Sequence, residues 1–152
     1  MEESEIINNM ENEPDVNKLN SFYFEGKKQT VSFVETMDVV EGVQCDVYRF
    51  DSDETKDLGI IRMQPGCKTP LQKVLLGERT IEGYIEGKGK LTVTSKEGKP
   101  TVYIVNNELK SPVVITVGIG ELMQWEADPD SSLEAYEICF PPYQDGRYEN
   151  TP

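Results

Sequence analysis

Histidine is absent from all 152 residues of the chain. Imidazole is the side chain whose ordinary pKa lies nearest neutrality, and it is the commonest ligand of transition metals in proteins. Its absence rules out the usual general base of hydrolases and isomerases, as well as every metal site built on imidazole nitrogen. Any acid–base chemistry would fall to carboxyl, thiol or phenol groups.

Long apolar runs are also missing, and cysteine is scarce. No segment approaches the roughly 20 apolar residues that a membrane span needs. The first ten residues, MEESEIINNM, carry no basic or apolar signal region, so we expect no secretory signal there. The three widely spaced cysteines are an odd number for a disulfide framework. We therefore expect free thiols and a cytoplasmic location.

Basic residues are few. Fifteen Lys and Arg stand against 28 Asp and Glu, for a net charge of −13. This excess of acid argues against binding to nucleic acid or to an anionic membrane surface. Six of the acids lie in Met1–Asp15, which contains no base. We expect residues 1–20 to form an acidic, loosely ordered arm and residues 143–152 to form a C-terminal tail.

The sequence pattern of residues 21–142 predicts one all-β domain. Short segments rich in Val, Ile, Tyr and Phe alternate with turn residues, and no long window has a helical period. This spacing is typical of a barrel or sandwich. The ten predicted strands are Ser21–Phe24, Thr30–Val34, Asp46–Phe50, Gly59–Gln64, Ile81–Ile85, Lys90–Thr94, Thr101–Val105, Val113–Val117, Leu122–Trp125 and Leu133–Phe140.

Two half-motifs carry a family resemblance. Within Gln64–Val93, Pro65-Gly66 and Thr69-Pro70-Leu71 lead to the glycine-rich turn Glu86-Gly87-Lys88-Gly89. Later, Gly120-Glu121 precedes a strand, and Leu133–Phe140 ends on Pro141-Pro142. The pattern resembles the two conserved motifs of the cupin superfamily. The resemblance implies a single antiparallel cupin-type β-barrel, also called a double-stranded β-helix or jelly roll.

The metal ligands of cupins are not reproduced. The three histidine positions fall on Gln72, Val74 and near Ser131. The family's glutamate falls on Thr80, Glu82 or Glu78, depending on how the loop is counted. One amide and one carboxylate are too few ligands for a transition metal. We therefore expect no metal and no cofactor.

The interior of the barrel is predicted from strand parity, because alternate side chains point to opposite faces of a sheet. Thr80, Glu82 and Tyr84 share one face, opposite Ile81, Gly83 and Ile85. A polar interior would suit a small polar ligand; the alternative is that these residues face solvent on one side of the sheet. The candidate ligand-binding residues are Arg62, Gln72, Glu82, Tyr84, Gln124 and Glu137.

Three functions remain open for such a chain. The first is a non-catalytic cupin-domain protein that binds a small polar, sugar-like ligand without a transition metal. The second is a metal-independent sugar isomerase or epimerase of the cupin kind, although the known members generally use a histidine. The third is a structural module for dimerisation. Cupins commonly form dimers, so the resemblance implies a homodimer. In it, Ser21–Phe24 and Thr30–Val34 could extend a partner's sheet.

Overall fold

The computed structural model describes residues 18–74, 79–108, 113–142 and the backbone of 148–151. Within this part of the chain the regular structure is strand, and there is no helix that could cross a membrane. The strands are β1 (Ser21–Phe24), β2 (Lys27–Val40), β3 (Val43–Phe50), β4 (Asp53–Met63), β5 (Leu71–Val74), β6 (Arg79–Gly87), β7 (Gly89–Thr94), β8 (Pro100–Val105), β9 (Val114–Gly118), β10 (Leu122–Ala127), β11 (Leu133–Phe140) and β12 (Tyr148–Thr151).

The strands form two antiparallel sheets. The larger has seven strands in the order β1-β2-β3-β4-β11-β6-β9, and the smaller has five in the order β12-β5-β10-β7-β8. Sequence neighbours are often separated in this order, as in a jelly roll, so chain-distant segments meet. β11, for example, lies between β4 and β6. The predicted all-β cupin-type barrel is confirmed.

The barrel interior, the space between the two sheets, is closed mainly by apolar side chains. Leu91, Met123 and Trp125 of the five-stranded sheet pack there against Met63 and Leu133 of the seven-stranded sheet. All five are almost fully buried. Burial of large apolar side chains contributes roughly 1.5–3 kcal/mol for each residue, so this layer is a main source of stability.

A second apolar cluster covers the outer face of the seven-stranded sheet. Leu58, Ile60, Ile81 and Ile138 point to this face and are buried by the β1–β2 hairpin. Phe22 of β1 stands edge-on against Tyr136 of β11, with ring centroids 4.9 Å apart. The seven-stranded sheet is therefore apolar on both faces.

The strand predictions are confirmed in part. Each of the ten predicted segments overlaps an observed strand, and the Glu97-Gly98 hairpin forms with Gly98 at a φ of 86°. β2 is much longer than the predicted Thr30–Val34. Two short strands, β5 and β12, were not predicted, and β12 adds an edge to the five-stranded sheet within the segment assigned to a tail.

Ordered contacts begin before Ser21. The backbone N–H of Leu19 donates to the Tyr48 hydroxyl at 3.0 Å, and Lys18 pairs with Asp46 at 3.4 Å. These contacts tie the chain to the outer face of the sheet ahead of β1. The remainder of the predicted acidic arm, residues 1–17, lies outside the described residues.

Candidate functional site

Two glutamates stand side by side in the barrel interior. Glu82 of β6 and Glu137 of β11 are direct partners in the antiparallel register. Residues paired in this way have Cβ atoms about 4.5–5.5 Å apart, on the same face of the sheet. Their neighbours on that face, Ala135 and Thr80, are fully buried, so the face is the inward one. The parity prediction for Glu82 and Glu137 is therefore confirmed by the register.

Glu82 is sealed from solvent, with 0% of its surface exposed. The indole Nε1–H of Trp125, across the interior on β10, donates to Oε1 of Glu82 at 2.8 Å. Oε2 of Glu82 accepts no hydrogen bond from an N–H or O–H of the described residues. A buried carboxylate oxygen without a donor is costly, because its hydration is lost without replacement.

The carboxyl of Glu137 lies beside that of Glu82 on the neighbouring strand. The two carboxyls lie so close that a proton on one of them can be shared with the other. Burial first, and the Glu137 charge second, raise the pKa of Glu82 well above its usual value. The Trp125 and Thr80 side chains oppose this rise in pKa. The protonated form of Glu82 is therefore favoured in the folded protein.

Two thiols border the carboxyl pair. Cys139 donates to Oε2 of Glu137 at 3.4 Å, and Cys45 lies on the neighbouring inward positions of β3. Burial first, then the Glu137 charge, raises the pKa of the Cys45 thiol far above its ordinary value. A thiol with a raised pKa is a poor nucleophile, so the site does not offer Cys45 for covalent chemistry.

The positions that correspond to cupin metal ligands are mostly inward but neutral. Val74 is buried in the interior, and Gln72 pairs in register with Met123 of the same layer. Ser131 lies in the bend before β11, where its hydroxyl donates to the Ser132 carbonyl. Among the described residues no group of three metal-ligating side chains is assembled. The donors present do not fit a transition metal.

Two of the three positions considered for the family's glutamate can be placed. Thr80 and Glu82 both face the interior and are fully buried. Thr80 lies near Met123, with its hydroxyl 3.9 Å from the sulfur. Glu82 supplies the carboxyl of the interior. Glu78 lies outside the described residues.

Tyr84 is on the inward face but near one end of the barrel. Its hydroxyl lies 2.8 Å from both the Gly87 carbonyl and the side-chain oxygen of Asn107. Burial first, then the Glu86 charge, raises the pKa of Tyr84. These contacts fix the hydroxyl at the turn that follows β6, so Tyr84 is a rim residue rather than a neighbour of the carboxyl pair.

The structure does not bring Arg62 and Gln124 into the interior. Arg62 shares the outer face with Ile60, and its guanidinium Nη2 pairs with Asp46 at 2.7 Å. Gln124 alternates with the buried Met123 and Trp125, and its amide donates to the Thr69 carbonyl at 2.8 Å. The predicted lumen assignment of these two residues is therefore corrected.

Sequence reasoning missed Trp125 as a site residue. The predicted ligand-binding residues include Gln124, which alternates with Trp125 along β10 and therefore lies on the opposite face. The signal was available, since Met123, Trp125 and Ala127 alternate as the apolar positions of β10 and are the buried ones. The single tryptophan of the chain is the donor that holds Glu82 in place.

An open cleft lies outside the barrel interior. It has a volume of about 620 Å³ and is bordered by the β2–β3 turn and by the outer ends of β4, β6 and β11. Gln44, Arg62, Glu134 and Glu86 form a row across its floor, because they are register partners on four neighbouring strands. Arg62 is thus part of this surface row instead of the interior.

Comparisons with known proteins show the fold. No protein-family model matches the chain, and no curated protein sequence is similar to it. Among solved structures, the chain is similar to a cupin-2 domain from Rhodospirillum rubrum, with a TM-score of 0.57 and 14% identity over 86% of this chain and 79% of that one.

Two larger proteins contain a similar domain. The capsular polysaccharide assembling protein CapF from Staphylococcus aureus matches with a TM-score of 0.61 and 11% identity over 78% of this chain and 34% of that one. Oxalate decarboxylase from Bacillus subtilis matches with a TM-score of 0.60 and 13% identity over 72% and 28%. The chain spans about a third of the length of these proteins or less. It has the cupin fold.

Proposed function

We propose that this chain is a non-catalytic cupin-fold protein that holds a small polar, sugar-like ligand in its barrel without a transition metal. The observation that carries the proposal is the Glu82 carboxyl, fully buried in the interior, whose Oε2 has no donor among the described residues. Packing alone does not favour a carboxyl there, because an apolar side chain of similar size would stabilise the layer more. A hydroxyl-bearing ligand would supply the missing donor.

Charge narrows the class of ligand. Arg62 does not supply a positive charge to the interior, because it pairs with Asp46 on the outer face. The carboxyl pair would repel an anion brought into this low-dielectric space. The proposed ligand is therefore neutral or cationic, and phosphorylated metabolites are disfavoured.

A thermal-shift screen of sugars, polyols, carboxylates and nucleotides tests this function. A ligand at ~100 times its dissociation constant should add about 2.7 kcal/mol to the free energy of unfolding. Glu82→Gln should abolish the shift, because it replaces an acceptor oxygen with an amide donor. Glu97→Gln, in an exposed hairpin loop, is the matched control and should retain it. If no compound shifts wild type, or if both variants respond alike, the interior is not the site.

An isomerase or epimerase is the second candidate, favoured by the two neighbouring carboxyls of Glu82 and Glu137. Two neighbouring carboxyls, one protonated and one ionised, can act as acid and base in one site. Incubation of a bound sugar in deuterium oxide would reveal enzyme-dependent deuterium incorporation at carbon. Such turnover, lost in Glu82→Gln, would replace the non-catalytic function.

A homodimer is proposed as the assembled form, with β2 as its contact strand. β1 covers only residues 27–30 of β2, so the part from Ser32 to Val40 pairs with β3 alone among the described strands. That free edge carries exposed apolar side chains, including Val34 and Val40. An unpaired edge of this kind is a template for strand addition by a second copy.

None of the three cysteines, Cys45, Cys67 and Cys139, forms a disulfide among the described residues. We place the protein in the cytoplasm, where thiols stay reduced.

A further inference from the structure

A second cleft lies at the tip of the β1–β2 hairpin, apart from the barrel interior. It is bordered by the end of β1, the start of β2 and the β3–β4 turn, and it has a volume of about 570 Å³. Sites for small molecules commonly have volumes of roughly 300–1,000 Å³. The cleft therefore has room for a small metabolite.

Lys56 of β4 brings a buried ammonium group to this cleft. Its side chain is only 8% exposed, and its Nζ lies 4.6 Å from the centroid of the Phe50 ring. The ammonium donates to Oδ2 of Asp53 at 2.6 Å, which is its one hydrogen bond to a described residue. An ammonium has three donors. Two of them are thus available to water or to a ligand in the cleft.

The carboxylate of Asp53 is already supplied with donors. Its Oδ1 accepts from the backbone N–H of Thr55 at 2.9 Å and from the Thr55 hydroxyl at 2.5 Å. The hydrogen bond from Lys56 first, and those from Thr55 second, hold the pKa of Asp53 well below its usual range. Asp53 therefore stays ionised and holds the ammonium of Lys56 in position.

Two further lysines make the lining of the cleft positive. Lys27 and Lys28 begin β2 and border the cleft, and neither forms an ion pair with a described residue. With Lys56 they give three ammonium groups against two carboxylates, those of Glu25 and Asp53. The chain as a whole carries a net charge of −13, so a positive lining runs against its general charge.

The neutral polar groups of the lining add further donors. The hydroxyls of Thr30 and Ser52 and the amide of Gln29 border the same space. A carboxylate has two oxygens to share among these donors, whereas a phosphate group has three or four. Charge-assisted hydrogen bonds from ammonium to phosphate oxygen are roughly twice as strong as neutral ones. The lining thus suits a phosphate group better than a carboxylate.

We propose that this cleft is a binding site for a phosphate group, carried by the free ion or by a small phosphomonoester. Lys27, Lys28 and Lys56 donate to its oxygens. Lys56 is held in place by Asp53 and by packing on Phe50 before the ligand arrives, which lowers the entropic cost of binding. This site is separate from the proposed function, because the barrel interior disfavours the anion that the cleft binds.

An NMR titration of the full chain, labelled with nitrogen-15, tests the inference. The probes are inorganic phosphate, glycerol 3-phosphate and acetate at constant ionic strength, because salt screens exposed charges. We expect saturable shifts of the amide signals of residues 24–30 and 52–56, with acetate binding about tenfold more weakly or less. Tighter binding of glycerol 3-phosphate identifies the ester as the ligand, and tighter or equal binding of inorganic phosphate identifies the free ion.

Variants distinguish the cleft from other positive groups of the surface. Lys27→Gln combined with Lys28→Gln should weaken phosphate binding about tenfold or more, because two charge-assisted donors are lost. Lys96→Gln combined with Lys99→Gln removes the same charge from an exposed hairpin and should bind as wild type. Glu82→Gln changes the barrel interior and should also retain phosphate binding. Circular dichroism of each variant verifies its fold.

Three results would overturn the phosphate site. They are the absence of a saturable shift at residues 24–30 and 52–56, an equal loss of affinity in the two lysine double variants, and acetate binding as tightly as phosphate. None of them bears on the proposed function, which depends on Glu82 and is tested by the thermal-shift screen.

Discussion

Trp125 and Glu82 join the two sheets of the barrel through a hydrogen bond of 2.8 Å between indole Nε1–H and carboxyl Oε1. Both side chains are almost completely buried, at 2% and 0% exposure. The bond holds the carboxyl through Oε1 and leaves Oε2 without a donor among the described residues. The polar centre of an otherwise apolar layer is thus built from one residue of each sheet.

The carboxyl pair should make stability depend on pH in a predictable direction. The pKa of Glu82 is raised by burial and by Glu137. Its protonated form is therefore favoured by folding, and this stabilising contribution is complete below the unfolded value of about 4.3. The contribution is lost as the pH rises through the raised, folded-state pKa.

Glu82→Gln should remove that dependence, because an amide keeps the shape and the Trp125 contact without an ionisable proton. Urea unfolding between pH 5 and 8 should show that the free energy of unfolding of the variant increases relative to that of wild type as the pH rises. The expected gain is about 1 kcal/mol or more at the upper end, or about 2–4 °C in melting temperature. A difference between the two proteins that stays constant with pH would contradict the assigned pKa direction.

Transition metals should be absent from the purified protein. Gln72, Val74 and Ser131 occupy the ligand positions of the family motifs, and they offer one amide and one hydroxyl between them. We expect less than a tenth of an atom of Fe, Mn, Ni or Zn for each chain by elemental analysis. One equivalent of metal that is lost in Glu82→Gln would show that the interior is a metal site.

The free edge of β2 should hold the dimer together. Light scattering at micromolar concentration is expected to give about twice the 17.2 kDa mass of one chain. Val34→Lys combined with Val40→Lys should give a monomer, because charged edge residues oppose strand addition. Val102 of the β8 edge is as exposed as Val34, each at 50%, so Val102→Lys is the control. A monomeric wild type, or dissociation by the control alone, would exclude β2 as the contact.

Gly83 should be intolerant of any side chain. A Cβ at this position would lie 2.1–2.5 Å from ring atoms of Tyr136, which is held by Phe22. Gly83→Ala should lower stability by about 1–3 kcal/mol through overpacking. Gly59→Ala is the milder comparison, because its Cβ would meet only the Cys45 sulfur below 3 Å. Thermal unfolding of the two variants should rank them in that order, and the reverse order would contradict the packing described for the outer face.

The strands could largely be predicted from alternation and turn residues, but two kinds of detail could not. β5 has four residues, two of them polar, and it is held by pairing with chain-distant strands. β2 continues past Val34 through Glu35 and Asp38, with two irregularities in its register that break the alternation. Such strands depend on tertiary pairing, which a local pattern does not contain.

The sequence could predict which residues of the candidate site share a face of a strand, but not which face points into the barrel. Alternation correctly grouped Glu82 with Thr80, and Glu137 with Cys139. It did not say which face of β4 is inward, because both faces carry apolar residues and the β1–β2 hairpin buries the outer one. Arg62 was therefore assigned to the wrong side. Trp125 was overlooked because its polar atom is a single N–H on a large apolar ring.

Fluorescence of Trp125 offers the most direct measurement of whether the barrel interior is the ligand site. It is the single tryptophan of the chain, and its indole N–H is bonded to the carboxyl that a ligand would contact. Titration with the compound giving the largest thermal shift should change the emission of wild type saturably, with the same dissociation constant as calorimetry. Glu82→Gln should show no such change. A ligand that stabilises the protein while Trp125 emission stays constant would place binding elsewhere and contradict a site in the barrel.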